Sequence, residues 1–199
     1  MSTDGVDNSK RRFLTAATAA VGAVGAGFVA VPFLKSWNPS AKAQAAGAPV
    51  EVDISKLQPG QLMRVLWQKK PIWIVYRTEQ NLKDLAAFAD ADLADPNSEI
   101  PQQPEYIKGT NRSLNDKYLI AEGLCTHLGC SPTYRPEAGA ADLGGDDWKG
   151  GFYCPCHGSK FDLSGRVYAG VPAPTNLKIP KHSYLSDTLV LIGVDEGAA

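Results

Sequence analysis

All four cysteines and two of the three histidines of this 199-residue chain fall between residues 125 and 157. They form two short clusters, Cys125-Thr126-His127-Leu128-Gly129-Cys130 and Cys154-Pro155-Cys156-His157-Gly158-Ser159. Each cluster offers one Cys and one His able to bind a metal together, as Cys125-x-His127 and Cys154-x-x-His157, and each leaves one Cys over. Gly129 and Gly158 permit the tight backbone that brings amide groups near a metal. Equal contributions from two loops suggest a site between two β-hairpin tips.

Three chemistries compete for these residues. A structural zinc site of two Cys and two His is possible, but zinc modules usually space their ligands as two Cys and then two His, with no paired Cys to spare. Two plain disulfides would use all four Cys and leave a His at ligand distance in each loop unexplained. The third is a [2Fe-2S] cluster with two Cys on one iron and two His on the other. Two ferric ions, two sulfides, two thiolates and neutral imidazoles sum to zero charge, whereas four thiolates would leave two negative charges. Reducing a neutral site costs less, which raises the potential above that of an all-thiolate cluster. A His bound through one ring nitrogen presents the other at the surface, where ferric iron lowers its pKa and reduction raises it again.

The pair C-x-H-x-G-C and C-P-C-H-G-S resembles the Rieske family, and in particular the iron-sulfur subunits of bacterial cytochrome bc1 complexes. By that resemblance Cys125 and Cys154 hold the inner iron and His127 and His157 the outer one. Cys130 and Cys156 form a disulfide between the loops, which separates respiratory-type members from Rieske ferredoxins and dioxygenases. Ser159 donates to the cluster, Gly170-Val171-Pro172-Ala173-Pro174 covers it from a third side, and Leu128 with Pro172 forms the docking tip. The chain departs from many members at Phe161, where they carry a Tyr that donates to a ligand sulfur. The implied activity is proton-translocating quinol-cytochrome c oxidoreduction. Quinol held in cytochrome b hydrogen-bonds to His157 or His127, and the head swings on its tether to cytochrome c1, in a complex expected to be dimeric. Two alternatives stay open: a small Rieske subunit of another exported oxidase such as arsenite oxidase, and a non-redox zinc or disulfide module.

The surrounding segments fit this reading. Ser9-Lys10-Arg11-Arg12-Phe13-Leu14 resembles a twin-arginine export signal with Lys10 in the first arginine position. The uncharged run Phe13 to Leu34 reaches about 33 Å as a helix, against a bilayer core of about 30 Å. Residues 1–12 are therefore expected in the cytoplasm, 13–35 as a retained single-pass anchor in the bacterial inner membrane, and the remainder in the periplasm. Ala41-Lys42-Ala43 would be the cleavage site if the segment were a cleaved signal peptide, but the apolar run is longer than such regions usually are. Asp4 and Asp7 argue against a mitochondrial presequence. Trp37 marks the membrane interface. Residues 36–49, rich in Ala, Gly, Ser and Pro, read as a flexible tether.

Residues 50–199 are expected to form a mostly β, Rieske-type antiparallel sandwich with a cluster-binding subdomain at about 122–176. Val50 to Ile54, Leu62 to Trp67, Ile72 to Arg77, Tyr118 to Ala121, Arg166 to Tyr168, Lys178 to Tyr184 and Leu189 to Val194 read as strands. Gln68-Lys69-Lys70-Pro71 is expected to turn the first hairpin. One short helix, carrying Leu82, Leu85, Ala86 and Ala89, follows the N-cap Thr78 before Pro96, and residues 95–115 read as loop. Trp67, Trp73 and His182 are assigned to the core. With 20 Lys+Arg against 21 Asp+Glu, the net charge of -1 offers no footprint for nucleic acid.

Overall fold

The computed structural model describes Gly5 and residues 7–195; the outer ends of the expected leader (1–4 and 6) and of the expected domain (196–199) lie outside the described residues. The chain divides into two compact units, residues 1–45 and 46–199.

The first unit is dominated by helix α1, Asn8–Ser36, capped by the Asp7 carboxylate, which accepts from the backbone N–H groups of Ser9 and Lys10. Every described residue of α1 is exposed, including Phe13, Val21, Phe28 and Phe33. A helix that is apolar all round, long enough to cross a bilayer and unburied against protein suits a lipid surrounding. Pro32 sits inside its last turns. The segment expected as a flexible tether, residues 36–49, contains a six-residue helix, α2, Ala41–Ala46. Alanine-rich sequence supplies its propensity, and the Ser40 hydroxyl accepts from the Ala43 N–H.

The second unit is built from three antiparallel sheets of three strands each. The first pairs β1 (Val50–Asp53) with β9 (Leu189–Ile192), and β9 with β8 (His182–Ser186). The second runs β2 (Leu62–Trp67), β3 (Lys70–Tyr76), β4 (Tyr118–Glu122). The third and smallest runs β5 (Thr133–Arg135), β6 (Gly151–Tyr153), β7 (Lys160–Asp162).

Strand β3 is buried on both faces, and its two-residue side-chain period feeds two cores. Ile72 and Ile74 join Val52, Ile54, Ile120, Val190 and Ile192 toward the first sheet. Trp73 and Val75 join Leu119, Ala121, Phe152, Phe161 and the two buried cysteines Cys125 and Cys154 on the other side. The second core is thus the one from which the Cys/His loops project.

Local departures from the expected elements have identifiable causes. The β2–β3 turn is tighter than expected: only Gln68 and Lys69 turn, both at positive φ (50° and 63°), while Lys70 and Pro71 already pair in β3. Helix α3, Glu79–Ala86, carries the Thr78 cap in a capping box with Asn81, but stops before Ala89. The chain then turns so that Phe88 packs edge-on against Tyr168, 5.5 Å between centroids. Residues 166–168 contribute only isolated bridges, Val167 to Phe161 and Tyr168 to Leu93. The segment before His182 is irregular because its backbone bonds elsewhere: Leu177 N donates to Gly165 O, Ile179 N to Gln102 O, and Lys178 O accepts from Glu122 N. Gly193, at φ 104°, ends β9 before Val194.

Candidate metal centre

The hairpin-like ends of the small sheet present two loops of matching construction. In the first, Cys125 N donates to Cys130 O (2.7 Å) and Gly129 N to Cys125 O (2.9 Å). In the second, Cys154 N donates to Ser159 O (2.8 Å) and Gly158 N to Cys154 O (2.9 Å). Gly129 and Gly158 share φ 78° with open space where a Cβ would stand, so glycine is required by conformation and not by crowding. Each loop curls around its own first cysteine, whose side chain points down into the core.

Cys130 and Cys156 are joined by a disulfide across the loops, Cα–Cα 6.7 Å. Cys125 and Cys154 remain free and buried, and both belong to the same core cluster. Burial raises the Cys125 thiol pKa above its ordinary value, with the neighbouring Cys154 adding to the rise and the Ser159 hydroxyl and the His127 backbone opposing it. The Sγ atoms of Cys130, Cys154 and Cys156 lie within 4.8 Å of one another; the disulfide consumes two of them, which leaves Cys154 as the free sulfur of that trio.

The two imidazoles meet edge to face, with ring centroids 4.8 Å apart and planes at 82°. His157 is exposed and His127 half-buried. His127 Nδ1 is buried without a hydrogen-bond partner. A buried unpaired ring nitrogen costs free energy unless something accepts or binds it. Two buried thiols and an inward-facing, unpartnered imidazole nitrogen are the donor set of a mixed sulfur and nitrogen metal site, and the residues present fit a [2Fe-2S] group on that ground.

A third loop, residues 169–175, closes the side. Ala173 N donates to the fully buried Ser159 Oγ at 3.0 Å, and Thr126 Oγ1 donates to Thr175 O at 2.6 Å. Each Cys/His loop is therefore tied to the third loop by one hydrogen bond. Leu128, 71% exposed, and Pro172 are open to solvent, as is His157.

Behind the loops lies a polar frame that sequence reasoning missed, because its members look like ordinary surface charges. The turn Asp162-Leu163-Ser164-Gly165-Arg166 leads from β7 toward the third loop. Asp162 accepts from Ser164 N, Arg166 N and Arg166 Nε, the last at 2.6 Å, and is fully buried with that arginine. Arg112 donates to Ser164 O, Gly165 O and Leu177 O, and Arg77 to Leu163 O, Ser164 Oγ, Asn111 O and Asp116 O. Burial pulls both guanidinium pKa values down to about 10, which leaves them charged at neutral pH. Their carbonyl partners recompense the desolvation only while this turn keeps its shape.

Residues 50–181 match the family described as "Rieske [2Fe-2S] domain", and residues 1–40 match "Ubiquitinol-cytochrome C reductase Fe-S subunit TAT signal". The ubiquinol-cytochrome c reductase iron-sulfur subunit of Allochromatium vinosum is 62% identical over 100% of this chain and 95% of its own. That of Blastochloris viridis is 42% identical over 96% of this chain and 97% of its own. Among solved structures, a chain of a hyperthermophilic respiratory Complex III is similar at 26% identity, covering 88% of this chain and 98% of that one, with a TM-score of 0.48.

Proposed function

The chain belongs to the Rieske [2Fe-2S] family and, within it, to the iron-sulfur subunits of ubiquinol-cytochrome c reductase; from that premise we propose that Cys125, His127, Cys154 and His157 hold the cluster and that the head carries electrons one at a time from quinol to cytochrome c1. The observation that carries the ligand assignment is the donor set itself: two free buried thiols and two imidazoles in edge-to-face contact, one with its Nδ1 buried and unpartnered. When bound, the cluster supplies a one-electron acceptor in the range of about -150 to +300 mV.

The chain's own residues do the rest. His157, the more exposed imidazole, presents its outward nitrogen to the quinol hydroxyl and accepts the proton there, with His127 as its partner. Leu128 and Pro172 form an apolar rim that excludes water where the head meets cytochrome b. Ser159 fixes the third loop through Ala173 and directs its own proton toward the Cys125 sulfur. The Cys130–Cys156 bridge fastens the two loops without binding iron. Helix α1 holds the subunit in the membrane with residues 1–12 cytoplasmic and the head periplasmic, and residues 36–49 give the head its travel. The complex is dimeric and translocates protons.

Neither alternative reading is favoured. Relatives matching over nearly the full chain are reductase subunits, and the domain matched is an iron-sulfur one. The test is iron, acid-labile sulfide and the EPR spectrum of reduced membranes carrying His127→Ala, His157→Ala, Cys125→Ala or Cys154→Ala. Each loses the low-average-g signal of mixed His/Cys ligation; a variant that kept a normal signal would remove its residue from the ligand set.

A further inference from the structure

Trp73 is fully buried on β3, and its ring touches the base of both cysteine-bearing loops. It stacks on Phe152, with centroids 4.9 Å apart and planes at 21°. Phe152 stands two residues before Cys154 in β6. The indole also lies against the bare Cα of Gly123, two residues before Cys125: a Cβ there would fall among Trp73 Cε2, Nε1 and Cδ2. The same sequence offset, ligand minus two, is thus in contact with the same ring on both loops.

Gly123 is a glycine for space alone. Its φ is not in the left-handed region, so nothing in its backbone conformation needs glycine, and the close approach of the indole supplies the reason. Trp73 Nε1 is buried with no hydrogen-bond partner. An indole that leaves its N–H unpaired gives up stabilisation that a Phe or Leu at the same core position would keep. What the position holds is a single ring in contact with both Phe152 and Gly123.

We propose that Trp73 is a positioning residue for the metal centre, a rigid plate that fixes the height and spacing of the two cysteine-bearing loops relative to each other. Gly123 is its partner, because a Cβ there would fall 2.2 to 2.7 Å from ring atoms, so either the ring that stacks on Phe152 or the Cys125 loop must shift. The inference rests on the cluster assignment made above. It adds a determinant that lies beneath the loops, outside the ligand motifs.

The test is a double-mutant cycle on the full chain in its membrane complex: Gly123→Ala, Trp73→Leu, the pair together, and the milder Trp73→Phe in case the others assemble poorly. The readouts are iron and sulfide per chain, the EPR g values and the midpoint potential. Two irons per unaltered chain are the first requirement, and their absence would sink the cluster assignment and this proposal with it. With that met, Gly123→Ala is expected to shift the g values and midpoint and to lower iron content by about twofold or more. The same substitution made on Trp73→Leu is expected to have little further effect, since contacting residues that act through one another are non-additive. Trp73→Phe should shift the g values in the same sense by less. If the variants lower only the melting temperature, or if the Gly123 and Trp73 effects simply add, the ring is ordinary packing and the proposal is wrong.

Discussion

Replacing Ser159 with alanine separates two consequences that the structure assigns to one hydroxyl. Ser159 Oγ accepts from Ala173 N at 3.0 Å, its hydroxyl lowers the Cys125 thiol pKa against the larger effect of burial, and under the proposed assignment it donates toward that sulfur. The first loss strands a buried N–H, since Ala173 is itself buried, at a cost of about 1 to 3 kcal/mol of stability. The second removes a donor from a sulfur whose negative charge grows when an electron is added. A net hydrogen bond of about 0.5 to 1.5 kcal/mol, at about 1.4 kcal/mol per 59 mV for one electron, lowers the midpoint by roughly 20 to 60 mV. A redox titration followed by EPR, alongside iron analysis and a thermal melt, reads the two effects separately. A midpoint that is unchanged or raised, with iron content normal, would show that the hydroxyl does not face the sulfur and serves only the third loop.

Other outcomes follow from the same geometry. Phe161→Tyr, at a fully buried position in the core that holds Cys125 and Cys154, is expected to raise the midpoint by about 20 to 60 mV by adding a donor; a fall in the same titration would mean that the new hydroxyl points away from the ligands. Cys130→Ser or Cys156→Ser removes a bridge between residues 26 apart and should cost about 2 to 4 kcal/mol with partial cluster loss; an unchanged melt and full iron content would contradict that role. Prolines at Ala45-Ala46-Gly47 should break α2 and stiffen the tether, slowing cytochrome c reduction in stopped-flow while leaving the cluster spectrum intact; unchanged turnover would argue against a moving head.

The Cys/His loops were legible because two ligand types repeat at short, unlike spacings, a pattern that neither core packing nor a solvated surface produces. The β2–β3 hairpin was legible for a similar reason: Leu62 to Trp67 and Ile72 to Tyr76 are long, β-branched and aromatic. The small sheet was not. Its strands Thr133–Arg135, Gly151–Tyr153 and Lys160–Asp162 have three residues each, too few for any period to show. Arg77 and Arg112 were likewise invisible, because a charged residue near a turn reads as solvated until the carbonyls that surround it are known. Trp73 was read only as core. Its dual contact depends on Gly123 and Phe152 meeting across sheets, which no local pattern encodes.

Strand β3 contributes alternate side chains to two cores, and this has a consequence for how the head comes apart. Neither half can lose its packing without exposing one face of a strand that the other half still needs. The amides of β3 should therefore exchange with solvent only through global unfolding, among the slowest in the chain, while the loops above open more readily. Denaturation of the head should accordingly be a single cooperative step, so that a damaged metal centre and an unravelled far sheet are two views of one event.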